Sequence, residues 1–194
     1  LRLAASVVVA ALALACGGDV TGPATLPTSD LLVLPLQAGA PAVPPATFWA
    51  SNARLAVGRL LHADAQNTLY LEARFPARTL ASLDGQPLTL QDSVQVTIEP
   101  SANRYGFTLS PRGLAFSIDQ TPTATLSFAV YGDFSVADGS PTYPSRAAYA
   151  DALQFWLEVT PGRWRPVAGS GPAGLDAVAG PLSEPGVYVV AAPR

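Results

Sequence analysis

Strict alternation of apolar and polar residues is the main pattern along this chain. Val94, Val96 and Ile98 alternate with Gln95, Thr97 and Glu99. Leu114, Phe116 and Ile118 alternate with Ala115, Ser117 and Asp119, and Leu126, Phe128 and Val130 with Ser127 and Ala129. A period of two buries one face and wets the other, so these runs predict antiparallel strands with a core on one side. Pro100, Pro111-Arg112-Gly113 and Pro122 interrupt the ladder and turn the chain. Residues 93–131 are therefore the expected centre of the fold, with Leu114, Phe116 and Phe128 buried.

The same pattern extends to both sides. Leu69, Leu71, Ala73 and Phe75 point one way, and Tyr70, Glu72 and Arg74 the other. Residues 54–62 read either as an amphipathic helix or as a strand with Leu55, Val57 and Arg59 on one side. Gly58 and the turn at residues 64–67 favour the strand. A corner at residues 75–80 and a turn at Asp84-Gly85 follow. Further on, Leu153, Phe155, Leu157 and Val159 alternate with Gln154, Trp156 and Glu158. Pro161-Gly162 closes a hairpin that places Trp156 and Trp164 as a cross-strand pair on the outer face. Two closing strands are expected near residues 175–179 and 187–191, the latter with Val187 and Val189 inward and Tyr188 at the surface. Nine or ten short strands separated by turns predict an all-β antiparallel sandwich.

Composition agrees. The 194 residues include 19 prolines and 16 glycines, which suits short strands and turns rather than long helices. A net charge of −3, with the cations scattered and all of them arginine, gives no stripe that would track nucleic acid. Without lysine there is neither Schiff-base chemistry nor a Walker-type phosphate loop. Methionine is absent even at position 1, so the expected start is a non-standard codon or an upstream residue.

The N-terminus carries a targeting pattern. Arg2 precedes an uncharged apolar run, residues 3–14, of signal-peptide length and too short to span a bilayer. Leu12-Ala13-Leu14-Ala15-Cys16-Gly17-Gly18 resembles a bacterial lipobox, with Ala13 where leucine is usual. That resemblance implies a signal peptide at 1–15, cleavage after Ala15 and lipidation of Cys16, the only cysteine. An ordinary secretory signal cut at an A-x-A-like site is the alternative. Residues 16–47, rich in proline, read as a tether from the lipid, and 48–194 as the folded domain. Within the tether, the apolar cluster at residues 31–36 is expected along the domain as an edge strand, with partner binding as the other reading.

The order of the strands resembles the ZU-five domain, a β-sandwich shared by zonula occludens proteins, ankyrins and netrin receptors and found in bacterial surface lipoproteins. Tyr70-Leu71 leading to Phe75-Pro76-Ala77, the run from Val94 to Pro100, and above all Phe107-Thr108-Leu109-Ser110-Pro111-Arg112-Gly113-Leu114 carry the likeness. Gly162-Arg163-Trp164-Arg165-Pro166-Val167 is similar to a C-terminal hairpin of the bacterial forms. The resemblance implies a non-catalytic binding or structural module of the cell envelope, held at the outer membrane or cell surface through Cys16. Some relatives self-cleave at His-Phe-Ser before the last strand. Here Glu184-Pro185-Gly186 stands at that spot, without imidazole or hydroxyl, so no autoproteolysis is expected.

Other chemistry is thinly represented. Gly169-Ser170-Gly171-Pro172-Ala173-Gly174 fits G-x-G-x-x-G, yet Pro172 removes an amide and Pro181 leaves little room for the helix a dinucleotide site needs. His62, the single histidine, reads as a surface residue with no triad partner. Asp133 and Asp138-Gly139 lack the alternating oxygen ligands of a calcium loop. No metal or other cofactor is expected. The candidate ligand-contact loop is 131–150, with Phe134, Tyr143, Arg146 and Tyr149. Exposed, its aromatics would take a protein or, in the alternative reading of a carbohydrate-binding module, a glycan; folded back, they would cap the sandwich.

Overall fold

The computed structural model describes residues 24–194. Sixteen strands are formed among them. They are β1 (Leu26–Pro27), β2 (Leu31–Val33), β3 (Ala46–Ser51), β4 (Ala56–Leu61), β5 (Leu69–Phe75), β6 (Leu80–Leu83), β7 (Gln86–Pro87) and β8 (Ser93–Pro100). Then come β9 (Gly106–Ser110), β10 (Leu114–Phe116), β11 (Thr123–Ser127), β12 (Gln154–Thr160), β13 (Arg163–Pro166), β14 (Gly171–Pro172), β15 (Ala177–Pro181) and β16 (Gly186–Pro193). One short helix, α1 (Arg146–Asp151), and two 3-10 turns complete the described chain. None of its helices is long and apolar enough to cross a membrane.

These strands pack as an antiparallel sandwich. The large sheet runs β1-β13-β12-β16-β9-β8-β3, with β2 also on β16; opposite it lie β14-β15-β11-β5-β4 and the small sheet β10-β6-β7. The last strand of the sequence is thus in the middle of the large sheet, with β12 on one side and β9 and β2 on the other. The main core lies between the layers. Phe107 stacks on Tyr188 at 5.0 Å, Phe155 meets both edge-on, and Leu71, Phe75, Leu126 and Val178 face them from the second layer.

Local chemistry explains several elements. Asp84 and Gly85 both have positive φ, at 50° and 77°, the two-residue turn that matches strand twist, and Leu83 pairs with Gln86 across it. Gly58 is required because a Cβ there would sit 2.2 Å from the Phe48 ring, which packs directly over the β4 backbone. The Gly-rich stretch at 169–174 pairs as β14 against β15 rather than opening a helix, as its Pro172 implies.

The alternation misplaces particular residues. On β4 the buried positions are Gly58 and Leu60, followed by His62, while Leu55 and Val57 are exposed; the close Phe48–Gly58 contact selects that parity. Tyr70 is buried next to Leu71, beside a register shift between Leu60 and Leu61. β10 has only three residues, because a bulge at Ala115–Phe116 bends it. Phe116 is left half-buried against Phe75, and Ile118 is 95% exposed. β11 stops at Ser127, leaving Val130 exposed, and Val159 is exposed at the register shift between Glu158 and Thr160 of β12. On β16, Tyr188 faces the main core, its hydroxyl donating to the Glu184 carbonyl, while Val187 and Val189 face outward.

That outer face is not wet. Leu31, Trp156, Trp164, Val189 and Ala191 form a second buried cluster, rimmed by Leu26, Val33 and Val187. The tryptophans do not oppose each other: Trp156 pairs with Pro166 and Trp164 with Glu158. The cover comes from the N-terminal segment. Leu26 and Pro27 pair with Trp164 and Arg163, and Leu31–Val33 pairs with Pro193–Ala191. Trp164 Nε1 donates to Thr28 Oγ1 at 2.8 Å, and Trp156 Nε1 to the Ala191 carbonyl at 3.1 Å. Leu26–Pro27 and Leu31–Val33 are strands joined by a 3-10 turn at Thr28–Asp30, as expected for the cluster beginning at Leu31, but the folded domain begins well before residue 48, which corrects the expected boundary.

Buried position decides the cost of truncation. Phe107→Ala should lower unfolding free energy by about 3–5 kcal/mol, whereas Val130→Ala, on an exposed side chain, should stay within about 0.5 kcal/mol. Urea denaturation curves of the two variants check this register.

Candidate functional sites

The loop 131–150 folds back onto the sandwich. Asp133 caps the 3-10 turn at Phe134–Ala137 by accepting from the Ser135 amide at 3.0 Å, and Ser145 caps α1 through the Ala148 amide at 3.1 Å. These caps aim Tyr149 into the core, where its hydroxyl donates to the Leu32 carbonyl at 3.0 Å; the Tyr143 hydroxyl donates to the Pro193 carbonyl. Both tyrosines are buried, which corrects the exposed-aromatic reading: they tie the loop to β2 and β16. Phe134 is half-buried, edge-on to Phe128 at 5.6 Å. Arg146 is exposed, and both sides of its guanidinium engage Asp138, with Nε 2.8 Å from Oδ1. That contact holds the Asp138 carboxyl below the usual range. Phe134 and Arg146 line a shallow pocket of about 420 Å³ with Asp133 and Asp176. Of the four expected contact residues, the structure leaves these two at a surface. Cys16 lies outside the described residues.

His62 is buried, not at the surface. Its ring packs against Tyr131 at 4.5 Å and Tyr70 at 5.5 Å, and Nδ1 is 3.1 Å from the Pro41 carbonyl oxygen. The Tyr70 hydroxyl donates to the Gly106 carbonyl at 2.7 Å and accepts from the Gly106 amide at 2.9 Å, and burial pushes its pKa up to about 12. Tyr105 stacks on Tyr70 at 5.3 Å with its buried hydroxyl unpaired among the described residues. The outermost member, Tyr131, donates to Asp64 Oδ2 at 2.9 Å. Among the described residues no serine or cysteine hydrogen-bonds His62, and the polar tips of His62, Tyr70 and Tyr131 are paired within the cluster or to nearby backbone and Asp64, while that of Tyr105 is not. Among the described residues no group of three or more His, Cys, Asp or Glu is placed to hold a metal.

A third site escapes sequence reading because distant segments build it. Arg112, Glu158, Pro161, Glu184 and Val187 line a cleft of about 360 Å³. Glu158 Oε1 accepts from the Gly162 amide at 2.9 Å, and Glu184 Oε1 pairs with Arg165 at 2.8 Å. Arg112 makes no hydrogen bond or ion pair among the described residues. The only signal in the sequence is that Pro111-Arg112-Gly113, Pro161-Gly162 and Glu184-Pro185-Gly186 are all turns, and the register of β16 on β9 and β12 brings those turns together.

No family model matches the chain, and neither a curated protein nor a solved structure is similar to it.

Asp64 offers a pH test of the aromatic end. Hydrogen bonds from Thr68, through its side chain and its amide at 2.9 Å, and one from Tyr131 bring the Asp64 pKa down to about 2. A carboxyl depressed on folding stabilises above its unfolded pKa and loses that contribution as pH falls through its folded one. The melting temperature of Asp64→Asn should therefore lie below wild type at pH 6 and converge with it as pH falls from about 4 to about 2. Thermal melts across that window measure it.

Proposed function

We propose that this protein is a non-catalytic lipoprotein of the cell envelope, in which a β-sandwich of ZU-five type serves as a binding or structural module. The observation that carries the reading is how the chain joins the domain. Thr25 is fixed by Arg163 Nη2, at 3.2 Å to its carbonyl and 3.0 Å to its hydroxyl, nine residues after Cys16. A sheet that incorporates its own N-terminal segment transmits an anchor at Cys16 directly to the body. The reactive side-chain types support the non-catalytic part: His62 is walled in by rings, and the hydroxyls of Tyr70, Tyr143, Tyr149 and Tyr188 all donate to backbone carbonyls. Cys16, with Gly17 and Gly18 behind it, suits the outer membrane or cell surface.

A second reading, glycan recognition, draws support from a different residue than the loop tyrosines. Trp49 on edge strand β3 is 63% exposed beside Gln95, near Thr47 and Thr97, whose hydroxyls are 2.9 Å apart. An open indole flanked by hydroxyl and amide groups suits a sugar ring, so that reading now depends on Trp49 rather than on Tyr143 or Tyr149.

The anchor is tested by Cys16→Ser in cells that lipidate exported proteins. Acyl labelling should vanish and the protein should move from the detergent phase to the aqueous phase. Unchanged membrane association would contradict the proposal.

A further inference from the structure

We propose that the cleft formed by Arg112, Glu158 and Glu184 seats the phosphoethanolamine headgroup of a bilayer lipid, so that the domain docks on the membrane that anchors it. This inference rests on the lipoprotein reading and adds a ligand to it.

The first support is reach. The expected tether ran from residue 16 to residue 47, but strand pairing begins at Leu26 and the chain is already fixed at Thr25. Nine residues span at most about 30 Å even fully extended. Thr25 is therefore confined to within about that distance of the acylated cysteine, whatever path the intervening residues take. Thr28 pins the same segment to the 160–163 hairpin, its amide donating to the Gly162 carbonyl at 3.0 Å. The cleft is built on that hairpin, sharing Glu158, Thr160 and Pro161 with it. Such a short connection holds the cleft near the headgroups at an effective concentration in the millimolar range, so a weak site would be filled.

The second support is charge complementarity. A phosphoethanolamine headgroup carries a phosphate and, a few ångströms away, a primary ammonium. The cleft offers one guanidinium with no partner among the described residues, Arg112, to donate to phosphate oxygens. Glu158 and Glu184 each commit Oε1 to a protein donor and leave Oε2 without one among the described residues. Those oxygens can accept from the ammonium. Val159, exposed, and Val187, half-buried, line the same cleft beside them, apolar surface that can meet the lipid's glycerol. A simple anion would meet two carboxylates here, and a simple cation a guanidinium. The zwitterion satisfies both.

Hydrogen exchange on the full lipidated chain, reconstituted in vesicles of phosphatidylethanolamine with phosphatidylglycerol or of phosphatidylcholine with phosphatidylglycerol, separates the outcomes. Phosphatidylcholine keeps the phosphate but has no N–H donor. In ethanolamine vesicles, amides at residues 158–162 and 184–187 should exchange at least about fivefold more slowly than in choline vesicles. Arg112→Gln should remove the difference. Residues 64–67 should exchange alike in both, since that turn lies beyond the Tyr70–Gly106 contact, at the other end of β9 from the cleft. Equal exchange at the cleft in both vesicle types, with the protein still membrane-bound, would overturn headgroup binding and leave the anchor standing. A Cys16→Ser chain that stays on the choline vesicles would instead overturn the anchor reading.

Discussion

Three backbone hydrogen bonds hold the large sheet together at one point. The Leu34 amide donates to the Val190 carbonyl at 2.9 Å, the Val190 amide to the Tyr105 carbonyl at 2.9 Å, and the Tyr105 amide to the Leu34 carbonyl at 2.9 Å. The need behind this junction is general: β16 is an eight-residue central strand, and every buried amide and carbonyl along it must find a partner. β9 is too short to supply one edge alone. It covers Gly186 to Val189, and β2 covers Ala191 to Pro193, with the junction closing the seam between them. Leu34 and Tyr105 are both fully buried there, so the seam is shielded from water as well as paired.

Much of the remaining architecture depends on that seam. Once β2 is fixed, the segment before it must run back over the outer face of the sheet, which brings Leu31 onto the two tryptophans and lets Thr28 satisfy Trp164. The loop 131–150 then has a surface to close on, because Tyr149 and Tyr143 reach carbonyls of β2 and β16. The chain's way in is fixed at the 160–163 hairpin for the same reason, so that hairpin both holds Thr25 and Thr28 and contributes Thr160 and Pro161 to the Arg112 cleft.

The strands themselves were legible from alternation wherever one face is dry and the other wet. Val94, Val96 and Ile98 are buried between exposed or half-exposed neighbours as their period implies, and the turns at Asp84-Gly85 and Pro161-Gly162 fall where their residues demand. Alternation fails on β12 and β16 because both faces are covered, so Trp156 and Val189 are as buried as Phe155 and Val190. It fails at Ile118 and Val130 because a bulge or a strand end releases the chain before the apolar run is over. Proline-rich composition made residues 24–30 look like linker, since composition cannot show that a distant strand has an open edge, although the apolar cluster at 31–36 did point to an edge strand. The loop tyrosines were equally ambiguous, because burial of a Tyr turns on whether a carbonyl lies within reach of its hydroxyl. The Arg112 cleft has no local signature at all.

Amide exchange at the junction tests most directly whether the N-terminal segment is part of the fold. If β2 belongs to the cooperative core, the Leu34, Tyr105 and Val190 amides should exchange only through global unfolding, with one shared free energy that falls with denaturant at one shared slope. An account in which residues 24–36 are a linker lying on the surface predicts otherwise. Leu34 would then exchange orders of magnitude faster than Val190, with little dependence on denaturant, and the seam could not be what holds the large sheet together.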